Sequence, residues 1–107
     1  MKALVLESKG TPFVYKDVKD PKPNENEAVI RVIACGSGLT IQHVRAGRIE
    51  VDYPRIIGHE ITGIIEEVGS NVTNIKVGDA VTAYFYLTCG HCKWCRINRE
   101  TLCENFG

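Results

Sequence analysis

Four cysteines near the end of the chain have the spacing of a metal site. Cys89, Cys92, Cys95 and Cys103 follow the pattern C-x2-C-x2-C-x7-C. Thiolates bind soft or borderline-soft cations better than oxygen ligands do, and Zn²⁺ takes four of them in a tetrahedral shell at about 2.3 Å. Short spacers need tight turns, which Gly90 permits because glycine tolerates a positive φ. The pattern predicts a closed, structural zinc site.

Two other uses of the cysteines fit less well. Disulfide pairing leaves one of the five cysteines over, and Glu7 and Lys9 interrupt the apolar run that a secretory signal needs. We therefore expect a cytoplasmic protein with reduced thiols, which bind metals more often than they oxidise. A ferredoxin-type iron–sulfur run has a shorter third spacer and a proline after its fourth cysteine, where this chain has Glu104. Zinc is favoured over both.

The composition bounds the classes of protein to be considered. With 107 residues, 44% of them hydrophobic, the chain is long enough for one domain with a modest core. Thirteen basic and thirteen acidic residues cancel, so we expect neither a nucleic-acid partner nor a charged membrane surface. No apolar run approaches the roughly 20 residues that span a bilayer.

The elements that must position the cysteines are mostly strands. Apolar alternation and β-branched residues predict them at 2–7, 12–16, 28–34, 61–68 and 80–87. One short helix is expected, capped by Thr40 and ended by Gly47. Many short strands and little helix favour an open β-barrel or a sandwich. The glycine-rich fingerprint of a dinucleotide site is missing, so the sequence predicts no cofactor-binding residues.

Two further motifs complete a family pattern. Gly58-His59-Glu60 and Val77-Gly78-Asp79 accompany the four-cysteine loop and its Cys-Glu-Asn ending. With them the chain resembles the medium-chain, zinc-type alcohol dehydrogenases, and in particular their N-terminal GroES-like catalytic domain. The resemblance implies a mainly β fold: a partly open GroES-like barrel over residues 1–107, with a short helix and a structural zinc loop at 89–103. The family's Rossmann domain is absent from this chain, which is expected to be a truncated domain.

The resemblance also implies an activity and a set of site residues. Such enzymes are NAD(P)-dependent oxidoreductases acting on alcohols, polyols or aldehydes, and they carry a structural and a catalytic zinc. The four cysteines match the structural site, whereas His59 and Glu60 match a ligand of the catalytic zinc and the carboxylate beside it. Thr40 and His43 match the threonine and histidine that bind the substrate oxygen and relay its proton.

The sequence departs from the family at the other half of the catalytic site. Where the family has a ligand cysteine and a nearby aspartate, this chain has Gly38 and Ile41. Cys35 could serve as a ligand only if the register slipped, so we expect it to be a small buried residue. Plainer roles stay open for the others: a helix cap for Thr40, a surface histidine at 43, and a hydrogen-bonded pair at 59 and 60.

Three functions are therefore compared. The first is a catalytic-domain fragment of a zinc-dependent dehydrogenase, inactive alone because the dinucleotide domain is missing. The second is the same lobe from a reductase whose catalytic zinc has lapsed, which Gly38 and Ile41 favour. The third is a stand-alone, zinc-stabilised interaction module. In a full-length context the expected partners are a small alcohol or carbonyl substrate and NAD or NADP, and exposed strand edges make a homo-oligomer possible.

Overall fold

Two three-stranded antiparallel sheets form the framework of the fold. The computed structural model describes residues 1–106, and Gly107, the last residue of the predicted domain, lies outside them. The sheets have the strand orders β2-β1-β4 and β3-β5-β6. The strands are β1 (Lys2–Leu6), β2 (Phe13–Asp17), β3 (Ala28–Gly36), β4 (Arg55–Ile56), β5 (Glu60–Val68) and β6 (Ala80–Thr82).

The helices are short: one follows the end of β3, and two lie within the cysteine loop at 89–103. They are α1 (Leu39–Arg45), α2 (Lys93–Arg96) and a 3-10 turn at Glu100–Leu102. Within residues 1–106, no helix is long and apolar enough to cross a membrane.

Helix α1 is fastened to the turn between β1 and β2. The backbone N–H of Gly10 donates to Arg45 O at 2.7 Å, and Arg45 Nε donates to Thr11 O at 3.0 Å. Val44 on this helix is buried, as is Leu6 of β1. The β1–β2 hairpin therefore sets where α1 lies, which matters because α1 carries Thr40 and His43.

An open groove of about 1410 Å³ separates the two sheets. Apolar side chains line it from both sides, among them Leu4, Phe13, Val32 and Ile61. Leu4 and Val32 stay 56% and 54% exposed, because the sheets do not close over them. The prediction of a mainly β, partly open architecture is confirmed.

Two predictions of local structure are wrong, and two short elements were not predicted. The strand expected at 80–87 ends at Thr82. The last backbone bond to β5 runs from the Ala83 N–H to Ile61 O, and residues 85–87 lie beyond the start of β5 at Glu60. Thr40 does not cap α1: the cap is Gly38, and Thr40 lies in the first turn. Strand β4 and helix α2 were not predicted, since segments of two and four residues are too short to show a period.

Candidate metal centre and catalytic site

The four predicted cysteines converge on one point. Their sulfur atoms all lie within 4.8 Å of one another. The Sγ atoms of Cys92 and Cys95 are 3.6 Å apart, as are those of Cys89 and Cys103. A tetrahedral zinc with bonds of about 2.3 Å needs sulfur atoms about 3.8 Å apart. The donor set and its spacing therefore fit a structural zinc.

Tight turns aim backbone N–H groups at these sulfurs. Gly90 has a φ of 72°, as its predicted role in the first turn requires. The N–H of Cys92 then donates to Cys89 Sγ, and the N–H groups of Cys89 and Asn105 donate to Cys103 Sγ, each at 3.4 Å. Such donors stabilise thiolates, which are the form that binds a metal.

The electrostatics of the cluster also call for a cation. The N–H groups of His91 and Cys92 lower the pKa of Cys89 to about 5. The N–H of Cys95 lowers the pKa of Cys92 in the same way. Burial, followed by the neighbouring Cys92 thiol, raises the pKa of Cys95 to about 12. Four thiolates cannot share this buried volume unless a positive ion compensates them.

Trp94 packs on the cysteine cluster as a partly buried side chain. Lys93 extends over its ring, with Nζ 5.1 Å from the ring centroid, and forms an ion pair with Glu104 at 3.2 Å. His91 is exposed, and its Nδ1 lies 2.7 Å from Cys89 O.

In the candidate catalytic site, the carboxylate of Glu60 lies over two glycines. Glu60 is paired with Gly36 across β3 and β5. A Cβ added at Gly38 would lie only 2.7 Å from Glu60 Oε1, and one at Gly36 would overlap Oε2 and lie 2.9 Å from Glu60 Cβ. The carboxylate therefore fills the space that a side chain at residue 36 or 38 would occupy.

His59 is half-buried and stacks against an aromatic side chain. Its ring centroid is 4.6 Å from that of Phe85, at an interplanar angle of 47°. Within residues 1–106, only the four-cysteine cluster brings three or more potential metal ligands together. His59 and Glu60 therefore have no third ligand in the described part of the chain.

Cys35 is exposed, so the prediction that it is buried is wrong. It lines the open groove, and its sulfur lies 2.9 Å from where a Cβ of Gly58 would be. Cys35 pairs with Ile61, whereas the next residue, Gly36, pairs with Glu60. Successive side chains of a strand point to opposite faces, so Cys35 and Glu60 lie on opposite faces of the sheet. Cys35 is not placed to replace the missing ligand beside Glu60.

His43 is held by a residue that the sequence analysis missed, Arg48. Gly47, with a φ of 71°, forms the turn that ends α1. In this turn the Gly47 N–H donates to Val44 O and the Arg48 N–H donates to His43 O, both at 2.9 Å. This turn brings Arg48 Nη1 to 3.0 Å from His43 Nδ1. A guanidinium only donates, so Nδ1 accepts and the neutral imidazole carries its proton on Nε2. The signal was available, because a glycine after a short helix predicts this turn.

Comparison with known proteins decides the family. Residues 24–107 match the family model described as the alcohol dehydrogenase GroES-like domain. The chain belongs to this family. The resemblance stated from the motifs is confirmed, and with it the assignment to a family of oxidoreductases.

Curated relatives of this GroES-like domain are dehydrogenases and reductases. The chain is 44% identical over 107 residues to an alcohol dehydrogenase of Geobacillus stearothermophilus, an alignment that covers 97% of the chain and 32% of the relative. It is 36% identical over 108 residues to an acryloyl-coenzyme A reductase of Sulfurisphaera tokodaii, covering 98% and 32%. The chain thus spans about a third of the length of these relatives.

Solved structures agree with the fold of the GroES-like domain. A cobalt- and zinc-bound thermostable alcohol dehydrogenase from Pyrobaculum aerophilum is 33% identical, with a TM-score of 0.91 over 100% of this chain and 33% of that one. The predicted GroES-like fold is therefore confirmed, and the cysteine cluster fits the structural zinc expected of such a domain.

One prediction concerns the glycine that replaces the family's ligand cysteine. Gly38→Cys is expected to destabilise the GroES-like domain by about 1 kcal/mol, because its Cβ must displace the Glu60 carboxylate. In the Glu60→Ala background the same substitution should cost little. Unfolding free energies of the two single variants and the double variant, from urea denaturation, measure this coupling.

Ser37→Cys is the matched control, since Ser37 is exposed and adjacent to Gly38. Its cost should be the same with or without Glu60. Equal costs of Gly38→Cys in the two backgrounds would show that the carboxylate does not occupy the space beside residue 38.

Proposed function

We propose that this chain is the catalytic domain of an NAD(P)-dependent, zinc-type alcohol dehydrogenase. The observation that carries the proposal is the convergence of four sulfur atoms within 4.8 Å in a chain that matches the GroES-like family over residues 24–107. Cys89, Cys92, Cys95 and Cys103 are the proposed ligands of one structural zinc. The proposed domain covers residues 1–107, with the zinc loop at 89–103.

Thr40 and His43 are the residues proposed to handle the proton. An alcohol that loses a hydride to NAD(P)⁺ must also lose its hydroxyl proton to become a carbonyl. A hydroxyl both accepts and donates, and imidazole titrates near neutrality, so this pair suits a relay. The proposal is supported by the position of both residues on α1, which is hydrogen-bonded to the turn at Gly10. The bond from Arg48 orients the His43 ring.

His59 and Glu60 remain candidate ligands of a catalytic zinc, but the described residues do not complete such a site. Two donors without a third do not make a zinc shell, which takes at least three protein ligands. The Glu60 carboxylate also lies 2.7 Å from where a Cβ at residue 38 would be. The proton relay proposed for Thr40 and His43 therefore does not depend on a second metal ion.

A second function is supported by the same carboxylate. We infer that a reductase lobe without a catalytic zinc is compatible with Glu60 lying over Gly36 and Gly38. The relative from Sulfurisphaera tokodaii is named an acryloyl-coenzyme A reductase, and an activated alkene of that kind is the substrate class for this alternative. An interaction module gains no support, because the curated relatives over this length are named as oxidoreductases.

Four further expectations remain predictions. They are a cytoplasmic location, the lack of a nucleic-acid or membrane partner, a small-molecule alcohol or carbonyl substrate, and homo-oligomer formation.

A chimera tests the oxidoreductase proposal. This chain replaces the aligned third of the Geobacillus stearothermophilus alcohol dehydrogenase, to which it is 44% identical. The chimera is expected to oxidise alcohols with NAD⁺ or NADP⁺, whereas the 107-residue chain alone should not. Thr40→Val should lower kcat about 100-fold, because a general acid–base contribution is lost, and Thr40→Ser should restore it.

Zinc analysis of the chimera separates the two functions. Two zinc ions per chain with alcohol oxidation support the dehydrogenase, and one zinc with reduction of acryloyl-coenzyme A supports the reductase. A folded chimera that binds zinc but catalyses neither reaction would contradict both. Turnover unaffected by Thr40→Val would remove Thr40 from the relay.

A further inference from the structure

A row of aromatic side chains connects the cysteine cluster to the candidate catalytic site. Its members are Phe106, Tyr86 and Phe85, and it ends at His59. The ring centroids of Phe106 and Tyr86 are 5.2 Å apart, those of Tyr86 and Phe85 are 5.0 Å apart, and those of Phe85 and His59 are 4.6 Å apart. All three contacts are tilted or edge-on, which is the favourable geometry for aromatic pairs.

Among residues 1–106, backbone hydrogen bonds hold the segment that carries Phe85 and Tyr86 only at its two ends. Before it, the N–H of Ala83 donates to Ile61 O at 2.9 Å, and after it, the N–H of Cys89 donates to Cys103 Sγ at 3.4 Å. Between these points, residues 84–88 make no backbone–backbone hydrogen bond with any residue among 1–106. The ring contacts therefore have a large share in fixing this segment.

One end of the row depends directly on the cysteine cluster. Phe106 follows Asn105, whose N–H donates to Cys103 Sγ at 3.4 Å. The preceding residue, Glu104, forms an ion pair with Lys93 on α2 at 3.2 Å. The position of the Phe106 ring is thus set by the same sulfur that the zinc would bind.

We propose that the aromatic row transmits the state of the zinc loop to His59. This inference rests on the structural zinc proposed above. When zinc leaves, the sulfur of Cys103 is no longer held in place. The two N–H groups that bond to it, those of Asn105 before Phe106 and of Cys89 after segment 84–88, then lose their fixed positions together. Phe85 then loses its fixed position against His59. The zinc loop and Phe106 act as positioning elements for His59, without touching a substrate.

The three histidines make this measurable by NMR at constant pH. Ring proton resonances of His43, His59 and His91, assigned with His→Gln variants, are followed while a chelator removes zinc from the 107-residue chain. His91 lies in the loop and reports zinc loss. The His59 resonances are expected to move toward the positions of an unstacked imidazole, while those of His43 on α1 stay unchanged.

Two variants test the route. Phe106→Leu keeps an apolar side chain and the bond from Asn105 but loses the ring, so the zinc response of His59 should be largely lost. Phe13→Leu removes a ring on β2, outside the row, and should leave that response intact.

Each outcome is decisive. An unmoved His59 while His91 responds, or a full response in Phe106→Leu, overturns the proposal and leaves the zinc site standing. Movement of His43 equal to that of His59 would mean that the whole chain unfolds, and it also overturns the proposal. A chain that holds no zinc overturns the structural zinc site together with this inference.

Discussion

The Cys103→Ser variant is expected to lose its zinc and about 3 kcal/mol or more of stability. Cys103 accepts two backbone N–H groups, from Cys89 and Asn105, and its sulfur lies 3.6 Å from that of Cys89. A serine oxygen is a poorer zinc ligand and cannot close the thiolate shell. In a domain of this size the loss corresponds to a melting temperature lower by more than about 10 °C.

Elemental analysis and thermal unfolding measure this result on protein purified without added metal. The unaltered chain should contain one zinc and no iron. Cys35→Ser is the matched control, because Cys35 is the fifth cysteine and lies outside the cluster. It should keep its zinc and its melting temperature. Unchanged zinc and stability in Cys103→Ser would contradict the four-cysteine site.

Among substitutions that add one methyl group to a strand, Gly63→Ala is expected to lower the free energy of unfolding most. Gly63 is buried in β5, opposite the irregularity that Val32 and Ala34 enclose in β3. A Cβ there would overlap the backbone oxygen of Arg31 and lie 2.5 Å from Ile30 Cγ2. A backbone atom cannot move aside as a side chain can. The overlap should cost about 2–3 kcal/mol, outweighing the roughly 0.4–1 kcal/mol that Gly→Ala gains by restricting the unfolded chain.

The consequence reaches the candidate catalytic site, because the β3–β5 pairing places Glu60 opposite Gly36. Urea denaturation of Gly63→Ala measures the loss. Glu67→Ala is the control on the same strand, at an exposed position where a change within about 0.5 kcal/mol is expected. A Gly63→Ala variant as stable as this control would mean that β3 does not approach β5 closely at residue 63.

Features encoded by near neighbours in the sequence were the predictable ones. The cysteine cluster could be predicted because three of its ligands lie within seven residues and Gly90 provides the turn they need. Strands β1, β2, β3 and β5 followed from the alternation of their own residues. The helix end at Gly47 followed from glycine's access to a positive φ.

Features that depend on pairing between distant residues were not predictable. Whether Glu60 faces Gly36 or Cys35 is decided by the β3–β5 register, which the irregularity between Val32 and Ala34 shifts by one residue. The early end of β6 depends on how far β5 extends beside it. The exposure of Cys35 depends on the open groove between two sheets that do not close. Composition and periodicity carry no information on any of these.

The carboxylate over Gly36 and Gly38 also constrains how this sequence can change over time. A cysteine introduced at residue 38 would place its Cβ 2.7 Å from Glu60 Oε1. It would therefore lower the stability of the fold before its thiol could serve as a ligand. Shortening Glu60 first removes that obstacle. The two substitutions are therefore epistatic, and one order of acquisition is more accessible to selection than the other. A thiolate at this position is therefore reached at a lower cost in stability once Glu60 has been shortened.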